Sequence, residues 1–400
     1  MKRSQHRILT THVGSLPRPD GLIELTSAKL RGEAVDEQEL DRRLSTAVRD
    51  VVRKQRDAGL DVVNDGEFGK AARQSIDYGA WMNYAYQRLT GFAPVDKLEV
   101  STGATSTNVR LTTAFDRRDR KKFPEFYRDE LPSGTFSATS TRPMCTGPIA
   151  YRGQAAIKAD VERFKAALQG QSVEEAFMTA IAPGSFARGQ NRFYQTEEEF
   201  LFAVGEAMRE EYLAIVDAGF VLQLDDPGLP DTWDMADPEP ELEEYKKFAM
   251  LRVEAVNHAI RGIPEDRVRY HICWGSWHGP HTTDLPLEHI VDVLLQVRAG
   301  AYSVEAGNAR HEHEWQVWRD VKLPEGKILI PGVVSHATNL VEHPKLVAER
   351  LVRFASVAGR ENIIASTDCG LGGRIHHQIA WAKLESLAEG ARLASQELWG

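Results

Sequence analysis

The sequence predicts an α/β fold, a (β/α)₈ TIM barrel with a β-hairpin and helix insertion between its second and third strands. Three observations carry this. Eight short β-rich runs alternate with helical sequence, which is the signature of a parallel sheet. Polar and metal-binding residue types recur at the end of nearly every run. The 400 residues, 42% hydrophobic and 27% charged, suffice for one large soluble domain spanning 1–400.

The elements follow in order. Residues 8–13 read as the first strand, 36–58 as a charged amphipathic helix, and 60–64 as the second strand. The interval of about 82–172 breaks the rhythm. It holds β-leaning stretches at 100–113 and 134–149, a charged run at 116–122 and a helical pattern near 157–168. It is read as an insertion, with the charged run on a solvated edge. The third strand is 176–181, and the remaining five are 219–225, 267–273, 300–305, 328–334 and 362–368. Helical patterns near 196–217, 239–261, 286–298, 344–358 and 376–395 separate them. In 286–298, Leu287, Ile290, Val291, Leu294, Leu295 and Val297 form a stripe at helical spacing. Pro344 sits where a helix tolerates proline, in the first turn.

Composition excludes several classes. A net charge of −9 argues against a general binder of nucleic acid or anionic membrane. No apolar run approaches the roughly 18 residues a membrane helix needs. The start, Met1 to Arg7, has charge but no apolar segment after it, unlike a secretory signal. Three cysteines make no disulfide framework, which suits a reducing, cytoplasmic setting.

In this type of barrel the chemistry sits at the carboxyl ends of the strands. There the sequence places His12 to Ser15, Asp65 to Phe68, Pro183 to Ser185, Asp225 to Pro227, His271 with Cys273, Glu305, Ser335 with His336, and Asp368 with Cys369. Alternate strand residues point the same way, so His271 and Cys273 face one point if extended. An imidazole and two thiolates form a ligand set zinc accepts, with a fourth position left for a carboxylate, water or substrate. Other candidates read more plainly. Cys145 is expected in the core, and Asp226, before a proline, shapes a turn. His311 and His313 diverge on a helix and suit a surface or site rim. His376 and His377 open the last helix at the surface. The turn Gly372-Gly373-Arg374 offers amides and a cation to an anion.

These strand ends also carry a resemblance. Thr10 to Pro17 (TTHVGSLP), Gly59 to Phe68 (GLDVVNDGEF), Leu222 to Pro227 (LQLDDP), His271 to Cys273 (HIC) and Asp368 to Arg374 (DCGLGGR) resemble the catalytic barrel of the cobalamin-independent methionine synthase family, in its order. The resemblance implies zinc held by His271, Cys273, Glu305 and Cys369, with Glu305 a replaceable ligand. It implies His336 as the general acid that protonates a leaving nitrogen. Ser15, Glu67 and Asp225 would hold the amino-acid part of homocysteine. The implied reaction is methylation of homocysteine to methionine from a methylated folate or similar donor. The partners are then a small-molecule thiol and an alkyl donor, without nucleic acid or membrane; a homo-oligomer is left open. Family synthases stack the pterin on a tryptophan after the third strand. Here 183–194 has no tryptophan, leaving Phe186 and Tyr194 as aromatic candidates. The alternatives are a zinc-dependent transferase with another pair, such as an epoxide and coenzyme M, and a decarboxylase-like lyase on a related barrel.

Overall fold

A computed structural model describes every residue except 76, 78, 79, 96–99, 114, 115 and 130–142. The eight strands form where the runs predict them. They are Leu9–Thr10, Val62–Val63, Glu175–Ile181, Val221–Asp225, Val268–Ile272, Ala301–Val304, Ile328–Val334 and Ile364–Thr367. Each pairs in parallel with the next from the second to the eighth, and the eighth pairs with the first. Asp61 brings the first and second strands together. Its N–H donates to the Thr10 carbonyl at 3.1 Å, and its carboxylate accepts the Thr10 N–H at 2.9 Å. The sheet is therefore a nearly closed TIM barrel.

Polar groups inside the barrel fix the mouth. Arg269 donates to Thr11 Oγ1 at 3.1 Å and to the His12 carbonyl at 2.9 Å, and its guanidinium lies 4.0 Å from the Phe177 ring centre. Gln223 donates to the Val13 carbonyl and to Asp225. The end of the first strand is thus tied to the fourth and fifth, which carry site residues. Outside, the helix Glu37–Asp57 starts on Asp36, whose carboxylate accepts the Gln38 and Glu39 amides. It buries Leu40, Leu44, Val48, Val51 and Val52. Thr196 and Glu199 close a capping box on Glu197–Asp217.

The stripe at 286–298 does not make one helix. Only a 3₁₀ turn, Leu287–His289, and a short helix, Val291–Leu294, form. Ile290 leaves helical backbone at φ −127°, and the Leu287 amide is taken by the Glu314 carboxylate at 2.8 Å. The stripe is buried all the same. The last helix runs further than its pattern, over His377–Trp399.

Between the second and third barrel strands lie helices Ala80–Arg88, Arg118–Lys122, Pro124–Asp129 and Gln154–Leu168, and an antiparallel pair, Phe92–Ala93 with Met144–Cys145. Residues 134–142 of the second β-leaning stretch are outside the described residues. The reading of 116–122 as a solvated edge is corrected. Arg117 is 4% exposed and Asp119 is fully buried. Arg117 pairs with Asp231 at 3.0 Å and Asp234 at 3.2 Å, and lies over the Trp277 ring. Asp119 accepts from the Tyr127 hydroxyl at 2.6 Å and the Thr282 amide at 3.0 Å. Apart from Tyr127, these partners lie more than a hundred residues away, so the run itself could not announce them.

Removing one member of a buried ion cluster leaves the others uncompensated. Arg117→Met is expected to lower unfolding free energy by about 3–5 kcal/mol. Lys121→Met, at an exposed pair, should cost no more than about 1 kcal/mol. Urea melts of the two variants check this, and equal midpoints would refute it.

Candidate active site and metal centre

The fifth strand carries His271 one residue from its end, and Cys273 follows it directly. Cys369 stands two residues past the eighth strand. The two sulfurs are 3.7 Å apart, and both thiols are free. A disulfide would need about 2.05 Å. Donor atoms of His271, Cys273 and Cys369 all lie within 4.8 Å of one another. Two thiolates bound at about 2.3 Å to one tetrahedral ion would be about 3.8 Å apart, which matches the observed spacing. His271 Nδ1 faces Ser303 Oγ at 3.3 Å, while its Nε2 is buried with no hydrogen-bond partner among the described residues. A ring held by one nitrogen and presenting the other is the usual posture of a ligand. The hydrogen bond from Cys273 holds the Cys369 thiol well below the usual range, and the same contact drives Cys273 well above it. The two sulfurs are thus strongly coupled, and a cation between them would favour both thiolates. The donor set fits a thiophilic divalent ion.

Glu305 is not grouped with this trio and belongs to a second cluster. It is 4% exposed, and its carboxylate accepts the Trp274 amide at 3.1 Å and the Asn308 side-chain amide. Its ligand oxygen groups with a ring nitrogen of His336 and a carboxylate oxygen of Asp368, again within 4.8 Å. Burial pushes its carboxyl up to about 7. Asp368 accepts the amides of Ala306 at 2.8 Å and Gly307 at 2.6 Å. His336 is 1% exposed, and its Nδ1 lies 3.8 Å from Glu305. Burial pulls its imidazolium down to about 3, so the ring is neutral.

A cavity of about 90 Å³ opens beside the thiols, and Ser15, Glu67 and Asp225 line it with His271, Cys273 and Cys369. Glu67 sits at φ +62°, an uncommon backbone for a side chain with a Cβ. That geometry aims its carboxylate at Thr179 Oγ1, 2.5 Å away, with Lys70 Nζ at 3.3 Å. Asp225 accepts from Gln223 at 2.6 Å and Trp81 Nε1 at 3.3 Å. Burial raises its carboxyl to about 7, against the pull of His271. The Ser15 carbonyl accepts the amides of Leu371 and Gly372, joining it to the turn after Cys369.

Three more pocket residues escape the sequence reading or enter it only weakly: Arg18, Trp81 and Arg374. Trp81 comes from the segment between the second and third strands, and no local motif marks it. Phe186 is buried among Tyr86 and Phe92, and Tyr194 accepts the Ile149 amide. Neither lines the thiol cavity. His311 is not a surface residue. It is 3% exposed, stacks on Trp274, and bonds Asp284 at 3.1 Å and Glu314 at 2.9 Å. Those bonds outweigh burial and raise it to about 10, so it is a fixed cation behind Glu305. His313, His376 and His377 are exposed and Cys145 is buried, as expected, and Asp226 is buried too.

A parallel barrel that gathers imidazole, thiols and carboxylates at its strand ends belongs to the large class of barrels with a site at that mouth. The family described as the cobalamin-independent synthase, catalytic domain, matches residues 8–180 and 178–392, and the chain belongs to it. A methionine synthase of Sulfolobus acidocaldarius is 23% identical over 393 residues, covering 97% of this chain and 93% of that protein. One from Saccharolobus solfataricus is 24% identical over 393 residues, covering 97% and 95%. Among solved structures, the fold is similar to a B12-independent methionine synthase of Shewanella sp. W3-18-1 in complex with selenomethionine. The TM-score is 0.70 at 18% identity, with 98% of this chain and 99% of that chain covered. Among the described residues no helix is long and apolar enough to cross a membrane.

Proposed function

We propose that the protein is a zinc-dependent methyltransferase that converts homocysteine to methionine, with residues 1–400 acting as one cytoplasmic catalytic domain. One observation carries the reading: His271, Cys273 and Cys369 converge on the wall of a cavity that also holds Glu67 and Asp225. Zinc, when bound, would make an incoming thiol ionise near neutral pH. His271, Cys273 and Cys369 would hold it. Glu305 would supply the fourth position from its rest on the Trp274 amide, and yield it when the thiol arrives. Glu67 and Asp225 would take the substrate ammonium and aim its sulfur at the cysteines, with Ser15 beside its carboxylate. The sulfur–carbon bond forms as the donor's carbon–nitrogen bond breaks. The leaving nitrogen then takes a proton, which the His336 ring would deliver once negative charge in the loaded site has raised its imidazolium from about 3 toward neutrality. A methylated folate or similar compound is the donor this suits.

The second reading, coenzyme M with an epoxide, has one observation in its favour. Arg18 and Arg374 line the same cavity and would suit a sulfonate. The buried carboxylates Glu67 and Asp225 weigh against it. Zinc-loaded protein incubated with homocysteine or coenzyme M, each against methylated folates, methylcobalamin and small epoxides, decides the matter by mass spectrometry. Methionine from a methylated folate is the expected product. Homocysteine loss without methyl transfer from any donor would sink the proposal, and an alkylated coenzyme M would replace it with the second reading.

A further inference from the structure

We infer that Glu305, His336 and Asp368 form a second divalent-metal site next to the thiol trio, and that an ion held there stops methyl transfer. The binding half stands on geometry alone. The inhibitory half rests on the functional reading above, which needs the His336 ring free to carry a proton.

Ligand atoms of the three side chains lie within 4.8 Å of one another, and all three residues are buried. Glu305 Oε1 and His336 Nδ1 are 3.8 Å apart. Two donors bound at about 2.1 Å to one tetrahedral ion would be about 3.4 Å apart, so a small closure suffices. His336 Nδ1 and Asp368 Oδ2 are buried with no hydrogen-bond partner among the described residues. Buried polar atoms are rarely left unpaired, because the loss of hydration is then uncompensated. One cation would satisfy both. Asp368 Oδ1 takes the Ala306 and Gly307 amides, which fixes the carboxylate and leaves Oδ2 presented. Glu305 is anchored through Oε2 on the Trp274 amide, and Oε1, which accepts from Asn308, keeps a lone pair for an ion.

The site has its own entrance. Glu305 and His336 line a cavity of about 580 Å³ that none of the trio lines. Exposed Leu340 and Val341 line it too, so it reaches the surface. Two carboxylates and an imidazole, without sulfur, suit zinc, cobalt or manganese but hold zinc less firmly than thiolates do. The cations around the cluster are His281, His311, Arg350 and Arg374. His281 and His311 share Asp284, His311 also binds Glu314, and Arg350 binds Glu312. They weaken the site without cancelling its two carboxylates. A loaded trio, two thiolates with one dication, is neutral and does not repel a second ion. An ion on Nδ1 keeps the His336 ring from the imidazolium form that protonates the leaving nitrogen.

The test titrates metal-free protein with cobalt(II), followed by absorption and equilibrium dialysis, and repeats the titration with zinc(II). The first equivalent of cobalt should bring thiolate-to-metal charge-transfer absorption. A second should bind about 100-fold more weakly, add nothing to that band, and leave on dialysis against metal-free buffer. Cys273→Ser/Cys369→Ser should lose the first ion and keep the weak second one. Asp368→Asn and His336→Gln should each keep the first and weaken the second by about 10-fold or more. Methionine formation should peak at one equivalent of zinc and fall as the second site fills. A single bound equivalent in wild type at millimolar cobalt overturns the inference without any variant, so misfolding of a variant does not shield it. A second ion that binds unchanged in both Asp368→Asn and His336→Gln overturns it too, as does methionine formation indifferent to the second ion. If both ions bind as described and no methionine forms at any zinc level, the functional reading has failed and the metal site stands.

Discussion

Cys273→Ser and Cys369→Ser are each expected to lose bound zinc and methyl transfer together. A thiol coordinated by a metal gives up its proton, and the two sulfurs stand 3.7 Å apart. A serine hydroxyl does not ionise in this way, and the cluster drops to two strong donors. Even outer partners of metal ligands cost about 10–100-fold when removed, so loss of a ligand should exceed about 100-fold in activity. Metal analysis after dialysis and methionine formation are measured on the same samples. Cys145→Ser is the control. Its sulfur packs in the core and donates to the Gly147 carbonyl, and the variant should keep both properties. Stoichiometric zinc in the Cys273→Ser/Cys369→Ser double variant would show that the ligands lie elsewhere.

Asp225→Asn is expected to separate binding from stability. The carboxylate must be ionised to receive an ammonium, yet burial holds its pKa near about 7. Homocysteine affinity should therefore strengthen as pH rises through about 7 and fade below it, and Asp225→Asn should flatten this profile and weaken binding by about 10- to 100-fold at pH 8. The stability sign is opposite. A carboxyl raised from its ordinary value favours the folded state only while protonated. Its penalty is absent at low pH, grows as pH rises from about 4, and is complete above about 7. At pH 8 the metal-free asparagine variant should be more stable by about 1–3 kcal/mol, after losing one hydrogen bond. Chemical denaturation at pH 5 and pH 8 reads this. A variant destabilised equally at both values would refute it.

Much of the site was legible because it is built from strand ends. His271 and Cys273 obey the two-residue alternation of a strand, and Cys369 stands at the matching place in another. Ser15, Glu67 and Asp225 follow the same logic, and all three line the cavity. What stayed hidden depends on side-chain direction across long separations. Trp81 reaches Asp225 from 144 residues away. Arg117 looks like any charge in a polar run until Asp231 and Asp234 close on it. Glu305 was readable as a strand-end acid, but its rest on the Trp274 amide needed the loop between them. The stripe at 286–298 gave mostly buried positions and the wrong helix, because apolar spacing does not report the backbone break at Ile290, φ −127°.

Asp368 clamps the amides after Glu305 and immediately precedes Cys369, so two loops 62 residues apart in the chain behave as one exchangeable part. An engineer who transplants either loop from a relative would leave its counterpart mismatched. Grafted as a pair they should travel intact.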